Sequence, residues 1–140
     1  MRGLLIVVAT LTSACATAVD VRDNAGVVRE FRLPLAYQQA YRNFRDHAKQ
    51  CYVASGFLGG GMVGAVDADM YDDLKRGEVL LYSVGPLGPQ HMARFEFVSV
   101  SPTESKMIVK LAIDPIIKWR DLPAHYKQFA ERADIPCELA

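Results

Sequence analysis

Three cysteines, three histidines and one dense acidic group are the residues of this 140-residue chain whose chemistry matters most. Cys51 and Cys137 stand 86 positions apart. In an oxidising compartment such a pair closes a disulfide; the alternative is two free thiols, one of them buried in a helix face. On the chain-entropy model, closing a loop of that length stabilises a fold by about 4.5 kcal/mol. His47, His91 and His125 are scattered, without His-x-x-x-His or Cys-x-x-Cys spacing, so no metal is indicated. Ser55, Ser83, Ser99, Ser101 and Ser105 lack a nucleophile elbow, and a Ser-His-Asp set would have to assemble in space.

Asp67, Asp69, Asp72, Asp73 and Glu78 form the densest acidic group. Asp67, Asp69 and Glu78 match the first, third and twelfth places of a calcium loop, but Tyr71 occupies a ligand place and Asp72 the place of the turn glycine. A solvated strand face and turn is the expected reading. Gly59-Gly-Gly-Met-Val-Gly64 fits G-x-G-x-x-G, yet it follows a helical pattern and precedes a strand pattern. A dinucleotide site needs the reverse order, so this is a connector. No catalytic, cofactor-binding or metal residue is assigned, and no cofactor is expected.

Cys15 has a different context. Arg2 precedes an unbroken apolar run from Leu4 to Ala9; small residues follow, then the cysteine. Charge, short apolar segment and small residues in that order make a secretory signal peptide, too short to span a bilayer. Leu11-Thr12-Ser13-Ala14-Cys15 resembles a bacterial lipobox, although Thr12 stands where that pattern carries a branched aliphatic residue. The resemblance implies cleavage before Cys15, acylation of its sulfur and amine (palmitate among the chains), and, with Ala16 next, an outer-membrane anchor facing the periplasm. Cleavage after Ala16-Thr17-Ala18 is the rival; it would leave a soluble periplasmic or secreted protein.

Residues 1–14 are then the signal, 15–25 a lipid-anchored tether and 26–140 one periplasmic domain. Loss of the signal leaves 126 residues, enough for one core without metals. It also leaves 15 basic and 16 acidic side chains, a balance that gives no electrostatic case for nucleic acid.

The elements follow from periodicity. Val27–Leu33 alternates as a short edge strand. Pro34 opens a helix over about 35–53, with Tyr37, Ala40, Tyr41, Phe44, Ala48 and Cys51 on one stripe. Four strands are expected next. Met62 to Met70 alternates, and Asp72–Gly77 turns into a strand over Glu78–Val84. Gly85–Pro89 reads as a loop, Ala93, Phe95 and Phe97 mark a strand with one wet face, and Met107 to Ile113 another. A second helix is expected over about 121–133, capped by Asp121, with Leu122, Tyr126, Phe129, Ala130 and Ala133 inward. Trp119 is expected in the core. The cheapest assembly is an α+β two-layer sandwich, an antiparallel meander of four to five strands with both helices on one face. Cys51 ends the first helix and Cys137 follows the second, so a disulfide there would staple the two helix ends.

The signal ending in Cys15, the Phe31-Arg-Leu-Pro-Leu-Ala-Tyr37 lead into the first helix and the Cys51…Cys137 pair together resemble a group of small lipoproteins of Gram-negative proteobacteria. The resemblance implies location and fold and carries no activity. The expectation is therefore a non-enzymatic domain held to the membrane through lipid on Cys15 and binding an envelope protein. The alternatives are a small-ligand or lipid carrier, with the 56–64 connector as a gate, or a hydrolase with a spatially assembled site.

Overall fold

The computed structural model describes residues 27–53, 63–86, 88–112 and 122–137. The signal, Cys15, the tether, most of the glycine-rich connector, Ile113, Trp119 and the Asp121 cap lie outside the described residues. The elements are β1 (Val27–Leu33), α1 (Tyr37–Ala48) running into a π-helical turn (Lys49–Val53), β2 (Val63–Tyr71), β3 (Arg76–Gly85), β4 (Gly88–Ser101), β5 (Glu104–Leu111) and α2 (Leu122–Glu131). All strand pairs are antiparallel, in the order β1-β5-β4-β3-β2, and β1 is an edge as its short alternating pattern predicts.

Both helices lie on one sheet face, giving the expected two-layer α+β sandwich. The alternation in β4 explains why: Ala93, Phe95 and Phe97 all point the same way and are buried. Phe44 of α1 packs on Phe95 with ring centroids 4.3 Å apart, and Tyr126 of α2 meets the same ring at 4.7 Å. Leu33, Val79, Met107 and Val109 complete the floor beneath them. Burying each such side chain stabilises the fold by roughly 1.5–3 kcal/mol. Burial pushes the Tyr126 hydroxyl pKa well up.

Close approach of helix and sheet depends on glycine at one point. A Cβ at Gly77 would lie 2.6 Å from the Tyr41 ring, so only glycine lets that ring settle on β3. A polar tie joins the helices: Asn43 Nδ2 donates to the Ala130 carbonyl over 3.0 Å inside the core.

The opposite sheet face is ordered by charge. Asp69, Glu78, Glu96 and Glu30 form one row across the strands, with Ile108 between the last two. Arg76, Lys106 and Arg32 lie in the row on one side of it, and Arg94 and Lys110 in the row on the other. The wet face expected from the Arg94/Glu96 alternation is thus an ion-pair lattice.

Some details differ from the sequence reading. The Gly85–Pro89 loop is largely taken up by strand, because Gly85 pairs with Gly88 and Val84 with Pro89. Gly88, at φ +95°, takes the left-handed turn, and a proline is tolerated at the start of a strand. A bulge at Met92 pairs Leu81 with Ala93 but Tyr82 with His91, and Ser83 beyond it is 2 % exposed. Finally, α2 ends at Glu131, and Ala133 is exposed rather than part of its inner stripe.

Candidate functional site

Three turns of chain meet at one pole of the sandwich. Leu33 pairs with Ser105 and Val27 with Leu111, so β1 carries the chain from one pole to the other, about 20 Å at the usual strand rise. At the Leu33 pole α1 begins, β2 turns into β3 through Asp72–Lys75, and β4 turns into β5 through Pro102-Thr103. Between them lies an open, mainly polar groove of about 880 Å³ whose walls include Tyr37, Arg42, Met70, Asp72, Lys75 and Ser101.

Each wall is held in place. The Tyr37 hydroxyl donates to Asp72 Oδ1 over 3.0 Å, tying the first turn of α1 to the β2–β3 turn. Burial, then that carboxylate and its neighbour Asp73, push the phenol pKa up, so Tyr37 stays protonated. Ser99 N donates to the Lys75 carbonyl over 3.0 Å and joins the two turns. Lys75 itself sits at φ +50°, a conformation that L side chains adopt rarely. The first turn of α1 has no side-chain cap and no acidic residue.

Arg42 and Lys75, like Arg29 and Arg32 of β1, carry charge that no ion pair answers among the described residues. Arg76, Arg94, Lys106 and Lys110 each pair with a glutamate, whereas no carboxylate lies within ion-pair distance of Arg42 or Lys75 among the described residues. Asp72, the groove's own carboxylate, already accepts from Tyr37. Exposed Leu74 lies in the β2–β3 turn, and exposed Val100, near the end of β4, adds apolar surface to the groove. The arrangement suits recognition of an extended polar segment. It presents no nucleophile paired with a base.

Of the residues singled out by sequence, Asp72, Ser99 and Ser101 line the groove, and the cysteines and histidines are placed elsewhere. Cys51 and Cys137 form a disulfide, with an S–S distance of 1.98 Å, at the far end of α1 from the groove. His47 is buried in α1 and stacked on Phe129, His91 lies against Tyr82, and His125 is in α2. No histidine hydrogen-bonds to a serine or a carboxylate among the described residues. Asp67 and Asp69 are exposed on β2, Asp72 and Asp73 lie in the turn, and Glu78 is engaged by Arg76 and Arg94. Among the described residues no group of three acidic, histidine or cysteine side chains is placed to hold a metal. Nor is any described helix long and apolar enough to cross a membrane.

The groove itself was not legible in the sequence. Its walls come from positions 37–42, 70–75 and 99–102, and no motif links them. The charge at Arg42 and Lys75, unpaired among the described residues, is visible as a feature only once their neighbours are known. No family model matches the chain, and no curated protein matches it.

Proposed function

We propose that this chain is a membrane-tethered periplasmic lipoprotein whose domain works by binding an envelope protein, without catalysis, through the groove between the start of α1 and the β2–β3 and β4–β5 turns. The signal-like run ending at Cys15 supports the address, and a disulfide suits the oxidising compartment it implies. One observation carries the binding role. β1 begins at Val27, at one pole, and the groove, with two cations that have no ion pair among the described residues, lies at the other. A lipid on Cys15 would attach the domain through its Val27 end, the end opposite the groove.

The rings of Phe44, Phe95, Phe97 and Tyr126 fill the space between the helices and the sheet. A small-ligand or lipid carrier would have to part them, whereas binding in the groove needs no such movement.

Two measurements test the proposal. Intact mass of the protein extracted from membranes distinguishes an acylated chain starting at Cys15 from one starting at Val19. A photo-crosslinking side chain at Lys75 should capture a discrete envelope protein, and the same probe at Val84, on the opposite pole, should not. Equal capture at both positions, or none at Lys75, would sink the binding role.

A further inference from the structure

One buried imidazole has a sulfur of the disulfide as its one side-chain hydrogen-bond partner among the described residues. His47 precedes Cys51 by one helical turn, and its Nδ1 lies 3.8 Å from Cys51 Sγ. The ring is 6 % exposed and stacked on Phe129, with centroids 3.9 Å apart and planes 27° from parallel. Nε2 is enclosed and has no hydrogen-bond partner among the described residues. A purely structural bridge needs no such neighbour, and enclosing an imidazole nitrogen without a partner is unfavourable.

The two cysteines are unlike. Cys51 is 3 % exposed, inside the π-helical turn, whereas Cys137 is only partly buried in the segment after α2. An incoming thiolate therefore reaches Cys137 and not Cys51. Exchange then expels the sulfur of Cys51, and the rate rises as that leaving sulfur is stabilised as a thiolate. A neutral imidazole with its proton on Nδ1 donates to that sulfur as the negative charge develops. Burial lowers the His47 pKa and keeps the ring neutral, which supports the same picture.

We propose that Cys51–Cys137 is a thiol–disulfide exchange site for an external dithiol, in which Cys137 receives the attack and His47 stabilises Cys51 as it leaves. A thiolate of the dithiol bonds to Cys137 Sγ, the Cys51–Cys137 bond breaks, and its electron pair stays on Cys51, which accepts the hydrogen bond from His47 Nδ1. The second thiol of the dithiol, deprotonated to solvent, then attacks its own partner sulfur and releases Cys137 as a thiolate. The dithiol ends as a disulfide, and the bridge ends as two thiols that take protons from solvent. Opening the bridge unties the segment after α2 from the end of α1 at the pole opposite the groove, so the site stands independently of the binding role.

The test uses the oxidised full chain under native conditions. The protein is treated with excess glutathione, quenched with acid and alkylated, and the adduct is mapped. Glutathione on Cys137 with alkylated Cys51 is expected; an adduct on Cys51, or no adduct while the protein stays folded, overturns the proposal. In parallel, the rate of opening by dithiothreitol is followed at low urea for the native chain and His47→Leu. The native rate should not vary with urea below the unfolding transition, and the variant should open about tenfold more slowly. A rate that climbs with urea in step with unfolding, or an unchanged rate in a folded His47→Leu, would show a bridge that is only structural.

Discussion

Glu78 and Glu96 stand directly opposite one another in the β3–β4 pair, two carboxylates in like-charge register. Unaided, that pairing is unfavourable. Arg94 resolves it by donating to Glu78 over 2.7 Å while its Nε stands 3.3 Å from Glu96 as a charge contact without hydrogen-bond geometry. Arg76 adds a contact to Glu78 at 3.2 Å and Lys110 one to Glu96 at 2.8 Å.

Removing the shared cation should therefore cost more than a surface ion pair. Arg94→Ala is expected to destabilise the domain by about 2 kcal/mol, because it leaves two largely enclosed carboxylates facing each other. Urea denaturation of the variant checks this. The double variant Arg94→Ala/Glu78→Gln should recover part of the loss, since the repulsion is then gone.

Glu96 links the same lattice to pH. Burial pushes its pKa up, but the Lys110 hydrogen bond and the charges of Arg94, Lys110 and Arg76 outweigh that, and the net shift is downward from 4.5. A carboxylate with a depressed folded pKa contributes stability that is present above its unfolded pKa and lost as pH falls through the folded value. Thermal unfolding followed from pH 7 downward should show a decline below about pH 4.5 that is shallower in Glu96→Gln.

Gly77→Ala tests the helix–sheet contact. The new methyl would meet the buried Tyr41 ring at 2.6 Å, and the ring cannot retreat without disturbing the Phe97 edge contact. A loss of roughly 1–3 kcal/mol is expected, as for overpacking in a filled core. Gly77→Ala combined with Tyr41→Leu should be less than additive in the same melt.

Reduction of the Cys51–Cys137 bridge releases a chain loop of 86 residues. The expected loss is about 4.5 kcal/mol on the chain-entropy model. Paired thermal melts with and without reductant measure it, and Cys51→Ala/Cys137→Ala should reproduce the reduced value.

Asn43→Leu removes the donor to the Ala130 carbonyl that ties α1 to α2. The orphaned carbonyl makes the change unfavourable by about 1–3 kcal/mol despite the added apolar surface. Hydrogen exchange should localise the loss to α2.

Much of the architecture was readable because it rests on short-range periodicity. The stripe from Tyr37 to Ala48 could only be a helix with one buried face, and all its members are buried in α1. The alternation of Ala93, Phe95 and Phe97 against Arg94 and Glu96 assigned a core face and a wet face in the same few residues. The disulfide was legible as a pairing expected of the two cysteines left after Cys15, and as a staple once each was placed beside a helix end. The Met92 bulge and the continuation of β3 and β4 into Gly85–Pro89 were not, because register is set by the partner strand.

What the amino-acid order alone determined is the set of elements, their inward faces and the two-layer class, since each depends on residues a few positions apart. Tertiary structure decided which distant groups meet. Arg94 lies between two glutamates, His47 faces the sulfur of Cys51, and the chain segments around Tyr37, Lys75 and Ser101 converge on one groove. Those meetings depend on strand order and on how the helices pack over the sheet. Both are settled by burial and hydrogen bonding summed over the whole domain, and no local pattern carries that sum.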